Sequence, residues 1–246
     1  MCPEERPRGQ EEDEMRSRRR IAGAVIAGAI ALGSVGAVAF ATGAAAESHT
    51  SHESHMTHDM THMAEASATK TAVFHDQMRR LWENHVAWTR LYIVSAAASL
   101  PDQNATAARL LENQTAIGNA IKPFYGNAAG NQLTELLRDH ILTAAAMIED
   151  AKAGNTDKFN HDSKHWYANA NQIAGFLHRA NPANWPLDDM RSMMKEHLDL
   201  TLTEAVDRLQ GHWLRDVRDY RPIETAILHM ADMLSAGIVA QFPDRF

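Results

Sequence analysis

The chain has 246 residues, a formal net charge of −7 with histidine neutral, and one cysteine, Cys2. The acidic balance, with no basic stripe in the globular part, argues against a nucleic-acid binder. A lone cysteine ahead of the first apolar segment excludes a disulfide framework, zinc fingers, Fe–S ligation and a thiol nucleophile in the folded part. The 14 histidines are many for this length and need an account.

Residues 1–20 are polar and end in Arg16, Arg18, Arg19 and Arg20. Residues 21–42 then carry no charge, and Ala44-Ala45-Ala46 offers a small-residue cleavage site before Glu47. The pattern predicts a cytoplasmic n-region over 1–20 and a signal peptide or retained membrane anchor over 21–46. About 20 apolar residues suffice to cross a bilayer, so residues 21–42 would hold the chain in the membrane if uncleaved. Ser17-Arg18-Arg19-Arg20-Ile21 also brushes the twin-arginine pattern. Either way the remainder is expected to work outside the cytoplasm, secreted or anchored to the cytoplasmic membrane.

Residues 47–70 are low in complexity. His49, His52, His55, His58 and His62 recur every three or four positions, with Met56, Met60 and Met63 interleaved. No apolar face can be built from them, so this arm reads as disordered without a ligand. Imidazoles suit Cu(II), Zn and Ni, and thioethers suit Cu(I), so the mixture points to copper first. The plainer reading is a solvated spacer.

Residues 71–246 read as a helical bundle. Few runs alternate with period two, so strands are not expected. Phe74, Met78, Leu81, His85, Trp88 and Tyr92 lie at steps of three and four in a helix over 71–100, stopped by Pro101. A second helix spans 104–122, closed by Pro123 and Gly126; a third covers 131–153, with Gly154 beyond its end. A fourth runs 156–180. Pro186 opens a fifth, which carries Met190, Met194, His197 and Thr201, and a last covers roughly 213–241, with Pro222 either kinking it or starting it afresh. Short connections make neighbours antiparallel.

The stretch Leu136-Leu137-Arg138-Asp139-His140-Ile141 organises this region. Met193-Met194-Lys195-Glu196-His197-Leu198 repeats it downstream, and Leu81-Trp82-Glu83-Asn84-His85-Val86 anticipates it at almost the same distance upstream. A period of roughly 56 suits two helices and two connections, so the fold expected is all-α: an up-and-down bundle of about six helices built from three helical hairpins. The even-numbered helices match as well. Asn113, Asn169 and His229 follow His85, His140 and His197 in turn, at similar intervals.

His85, His140 and His197 each sit mid-helix on an apolar stripe, and His229 is placed to join them. Bundle cores are where helical proteins build metal sites from inward side chains. Three or four imidazoles with Glu83, Asp139, Glu196 or Asp232 nearby would suit zinc, copper or iron. An acid next to its histidine in sequence points about 100° away around the helix, so it is expected to serve a neighbouring hairpin. The competing reading is a buried hydrogen-bond network, copied with the hairpin; a catalytic acid–base role is a third. The paired Glu-x-x-His motif of diiron bundles is missing. Trp82, Trp88, Trp166, Trp185 and Trp213 are expected at helix crossings, and Met190, Met193, Met194, Met230 and Met233 as core filler. Asn119 beside Gly118 suggests a close helix approach.

The segments 81–90 (LWENHVAWTR), 117–126 (IGNAIKPFYG) and 228–234 (LHMADML) together resemble a family of uncharacterised, exported, all-helical bacterial proteins. The resemblance covers about residues 74–246. Members sometimes carry the labels glycosyltransferase or acetylglutamate kinase. Nothing here looks like a phosphate-cradling glycine loop or a nucleotide-sugar fold, and no nucleotide is expected. The resemblance implies a fold and brings no catalytic residues.

The function expected is therefore an exported bundle that binds a transition metal ion, copper or zinc. The ligands would be His49, His52, His55, Met56, His58, Met60, His62 and Met63 of the arm, joined in the bundle by His85, His140, His197, His229 and Asp232. The alternative is a non-enzymatic binding or structural module at the cell surface, with the arm as spacer. A metal-assisted enzyme is a weaker third, and no catalytic residue is assigned. No Gly-x-Ser-x-Gly elbow or His-Glu-x-x-His helix is present.

Overall fold

The computed structural model describes residues 56–246, with side chains from Ser67 onward. The expected signal or anchor segment and His49, His52 and His55 lie outside the described residues. Met56, His58, Met60, His62 and Met63 are described as backbone only.

Five α-helices follow one another: α1 (Met56–Ala98), α2 (Gln103–Ala153), α3 (Thr156–Ala180), α4 (Leu187–Leu209) and α5 (Trp213–Gln241). A 3₁₀ turn, Pro243–Arg245, follows α5, and there is no strand among the described residues. Each helix packs on the next, and α5 returns to pack on α1, closing a ring. The core inside that ring holds Trp82, Ile117, Leu137, Trp166, Ile173, Met190, Leu198, Ile227, Met230 and Ile238.

One boundary differs from the sequence expectation. The first helix starts at Met56, inside the stretch expected to be structureless. Residues 56–70 hold no proline or glycine and include Ala64, Ala66 and Ala68, so intrinsic propensity carries the helix backward without an apolar face. The expected second and third helices are both present; they carry one label, α2, but the backbone leaves helical geometry between them at Gly126 (φ 82°, ψ 169°), so α2 is two helical arms across a kink. Pro123 does not end α2, and Pro222 lies within α5. Other stops fall as read. Gly154 closes α2 in the left-handed region (φ 71°), and the Asn155 side chain accepts from the Lys158 backbone N–H at 3.2 Å to start α3.

The tightest approach lies across the Gly126 break. A Cβ on Gly118 would collide with Thr134 Oγ1 and sit 2.5 Å from the Gly130 carbonyl oxygen. A Cβ on Gly130 would sit 2.6 Å from the Gly118 carbonyl oxygen. The two glycines let the arms of α2 touch backbone to backbone. Trp82, Trp166 and Trp185 are buried as expected, but Trp213 is 57% exposed at the tip before α5. There the Arg208 guanidinium lies over its indole, 4.8 Å from the ring centroid. The helix α5 is apolar and long enough to cross a membrane; Ile223, Ile227, Met230, Leu234 and Ile238 of that helix are buried in the core.

A charged layer joins α1, α4 and α5. Arg90 bridges Glu204 and Asp216 (2.9 Å to Asp216 Oδ1), and Arg208 reaches Asp216 Oδ2 at 3.1 Å. The Arg90 ring neighbour is Tyr220, at 5.5 Å. At Glu204, burial outweighs the adjacent guanidinium and pushes the carboxyl up to about 7. At Arg90 the balance is the reverse: burial pulls its pKa down, but the Asp216 and Glu204 carboxylates raise it further.

Gly118→Ala should cost about 2–3 kcal/mol in urea unfolding, because Gly130 backbone must move; Gly175→Ala, whose nearest neighbour is the flexible end of Arg179, should be neutral or slightly stabilising. Glu204 keeps its proton to a higher pH in the folded chain than in the unfolded one. Its contribution is present at low pH and lost as pH rises through about 4.5 to 7. The urea midpoint of the natural chain should therefore fall relative to Glu204→Gln between pH 5 and 8, and parallel curves would contradict the assignment.

Candidate functional site

Three imidazoles meet in the middle of the bundle. His85 comes from α1, His140 from the second arm of α2 and His197 from α4, and all three are buried. The ring centroids of His85 and His197 are 5.5 Å apart, and those of His140 and His197 are 6.2 Å apart. Trp82 lies edge-on to His85 at 5.8 Å, and Trp166 stacks on His140 at 5.2 Å. Each histidine occupies the apolar stripe that turns its helix inward, and the packing of α1, α2 and α4 sets the three rings at one level.

Amides hold two of the rings. The Asn169 side chain donates from Nδ2 to the Leu136 carbonyl and to Asp139 Oδ2, both at 3.0 Å. Its Oδ1 is then the acceptor facing His140 Nδ1 at 3.0 Å, so that nitrogen carries the proton and Nε2 keeps its lone pair. At the first hairpin two residues share the work. Asn113 donates to the Leu81 carbonyl at 3.0 Å, as Asn169 does to Leu136. Gln114 donates from Nε2 to the Leu110 carbonyl at 2.8 Å and faces His85 Nδ1 at 3.2 Å, which makes that nitrogen an acceptor. The third hairpin supplies nothing comparable: His197 Nδ1 is buried without a partner.

Burial makes all three rings neutral. It lowers the His85 pKa to about 3, helped by repulsion from His140 and opposed by the Gln114 bond. It lowers His140 to about 4 against the opposing pull of Asn169 and Asp139. His197 is driven well below its usual range, first by burial and then by His85 and His140.

Several expected members are elsewhere. His229 is exposed on α5 and does not join the layer, since its position falls off the stripe formed by Ile223, Ile227, Met230 and Leu234. Asp232 is partly exposed and bonds Arg79 Nη1 at 2.6 Å and His75 Nε2 at 3.0 Å. Glu83 and Glu196 are exposed. Asp139 does not serve a neighbouring hairpin's core histidine; it accepts from Asn169, and so backs its own hairpin's His140 through an amide, and it pairs with exposed His165 at 3.1 Å. Among the described residues, no group of three or more His, Cys, Asp or Glu side chains is arranged to hold a metal ion.

A cavity of about 80 Å³ lies directly beside the layer. The side chains one helical turn after each histidine, Thr89, Ala144 and Thr201, all line it. Thr89 and Thr201 turn their hydroxyls to the carbonyls of His85 (2.7 Å) and His197 (2.8 Å). Tyr92, Ile141, Ile148, Phe159, Trp166 and Ala205 form much of the rest, so the lining is almost wholly apolar.

Sequence reasoning singled out Asn113 and Asn169 but not Gln114. The signal was available: Gln114 follows His85 at the same interval at which Asn169 follows His140. The matching position after His197 is Ala226, which has no amide to offer. The cavity left no such trace. No family model, curated protein or solved structure matches the chain.

The histidines set an acid limit. Each is neutral in the fold and protonates in the unfolded chain below about 6.5, so stability is full above that pH and falls as pH drops toward 4. The slope is about 1.4 kcal/mol per pH unit for each ring, or about 4 kcal/mol per unit for three. Urea midpoints measured from pH 7 to 5 should fall steeply, and His140→Gln should remove about a third of the slope, whatever it does to stability at pH 7.

Proposed function

We propose that this protein is an exported helical bundle, secreted or held to the membrane by residues 21–42, that binds a transition metal ion. Copper is the first candidate and zinc the second. The arm is the primary ligand set: His49, His52, His55, His58 and His62 with Met56, Met60 and Met63 place nitrogen and sulfur donors close together in sequence. Positions 58 and 62 fall one turn apart on α1, a spacing that suits chelation of one ion.

The observation that carries the bundle's part is the meeting of His85, His140 and His197 as neutral rings. A neutral imidazole is the form that ligates: the amide behind His140 Nδ1 leaves Nε2 as its donor and His197 Nδ1 is unengaged, whereas His85 would have to release Gln114 to offer its Nδ1 lone pair. With no carboxylate among its three rings, the layer carries no negative charge, which favours a soft monovalent ion over a hard divalent one. The Asn113–Leu81 and Asn169–Leu136 contacts support descent of the bundle from a repeated hairpin, with the third copy diverged at His229.

The full chain should bind Cu(I) tightly in competition with a chromophoric chelator. Replacing the five arm histidines by serine and the three arm methionines by leucine should remove most of the stoichiometry, and His197→Phe a smaller part. Unchanged, millimolar-weak binding in all three proteins would end the proposal.

The second reading is a non-enzymatic binding module in which the arm is a spacer. The apolar cavity beside the histidine layer favours it. The metal-assisted enzyme has no comparable support, because none of His85, His140, His197 and His229 lines that cavity.

A further inference from the structure

The first turns of α5 present a face that the core does not use. Trp213, Leu214 and Val217 are 57%, 91% and 65% exposed. The other large apolar side chains left in solvent among the described residues, Val73, Leu91, Leu100 and Leu142, stand singly along the sequence and need no explanation. Three within five residues do. At about 100° of turn per residue, Trp213, Val217, Arg221, Leu214 and Arg218 follow one another around one side of the helix. Arg218 and Arg221 are exposed, and Arg215 borders them, paired with Asp207 at 2.9 Å. Both acids of this stretch point the other way. Asp216 is buried against Arg90 and Arg208, and Asp219 turns to Asp207 of α4, leaving Arg218 at 3.9 Å. The next acid, Glu224, is half-buried two turns beyond Val217. A chain of net charge −7 thus shows here an apolar face edged only by guanidiniums.

We propose that this face docks on a lipid bilayer carrying anionic headgroups. Trp213, Leu214 and Val217 enter the boundary between headgroups and acyl chains, and Arg218 and Arg221 meet the lipid phosphates. Tryptophan and aliphatic side chains beside basic ones are the composition that settles at that boundary. Charge selects the partner: the guanidiniums are drawn to an anionic surface, and no outward acid among residues 213–221 opposes them. Size selects it too. Three side chains bury on the order of a few hundred Å², short of the roughly 800 Å² per partner of a stable protein interface, so a second copy of this chain is not held here. The pairing of Arg90 with Asp216 sets this face beside the later turns of α1, while the His/Met arm occupies its start. Docking therefore needs no metal.

The test uses the full chain reconstituted in vesicles of phosphatidylglycerol or of phosphatidylcholine, each with brominated acyl chains that quench any indole reaching them. Residues 21–42 contain no tryptophan, so a retained anchor gives no signal. In phosphatidylglycerol the tryptophan emission should be quenched, and Trp213→Phe should lose that quenching. Leu214→Glu combined with Val217→Glu should lose it as well; both side chains lie in solvent, so the fold is not at stake. Arg218→Gln with Arg221→Gln should lower the docked-to-undocked ratio about thirtyfold, near fivefold for each guanidinium removed, and phosphatidylcholine should lower it at least as much. No quenching in phosphatidylglycerol, equal quenching in the two lipids, an unchanged ratio in the arginine variant, or quenching that survives Trp213→Phe or the glutamate pair would each overturn the assignment. A dimer that forms without vesicles and that the glutamate pair dissolves would give the face to a second copy and overturn it too.

Discussion

The fold depends on burying three imidazoles without charge. Taking a histidinium out of water into an apolar core is far costlier than taking out the neutral ring, so the rings discharge instead. What they then need is one polar partner each that brings no net charge. Amides meet that condition. Asn169 and Gln114 satisfy two of the rings, while the one nearby carboxylate, Asp139, is kept behind Asn169 and touches solvent. Had Asp139 faced His140 directly, it would have drawn a proton onto the ring and a charge into the core. The amide passes on orientation and withholds the charge.

The same layer shapes the packing next to it. Three flat rings bring α1, α2 and α4 together at one level. One turn further on, the inward positions are Thr89, Ala144 and Thr201, which are too small to meet across the same gap. Large residues return at Tyr92 and Ile148. The space between is the cavity. Arg90, next in sequence to Thr89, and Glu204, next to Ala205, pair with each other, and Arg90 also pairs with Asp216. The same turns of α1 and α4 thus carry cavity-lining residues and a buried ion pair.

The all-helical class and most helix positions were legible because the bundle obeys one period. The stripes through His85, His140 and His197 face inward as their spacing requires, and the stop at Gly154 and the cap at Asn155 do what those residue types do elsewhere. Two features were not legible. The extension of α1 back to Met56 comes from a run without breakers, where pattern had predicted none because pattern looks for an apolar face. His229 shows the limit of repeat reasoning: it follows His197 at nearly the right interval, yet the α5 stripe through Ile227 and Met230 leaves it outside. A repeat predicts where a residue would be only while each helix keeps its phase. At the first hairpin the two tasks of Asn169 are divided: Asn113 bonds the Leu81 carbonyl, and Gln114 faces His85 at the interval Asn169 has from His140.

The length of α1 constrains how an arm and a core could cooperate. Met56 and His85 lie on one uninterrupted helix. At about 1.5 Å of rise per residue, Met56 stands roughly 43 Å from His85 along the axis, and His62 is still about 35 Å from the layer. An ion held at position 58 or 62 cannot be passed to His85 while the helix is intact. The span between them has no glycine or proline at which to fold back. An ion bound by the arm would therefore stay at the arm unless a second chain received it, and a core layer that held one would have to fill from solvent. Metal binding at the arm would imply nothing about the core, and the two have to be measured separately.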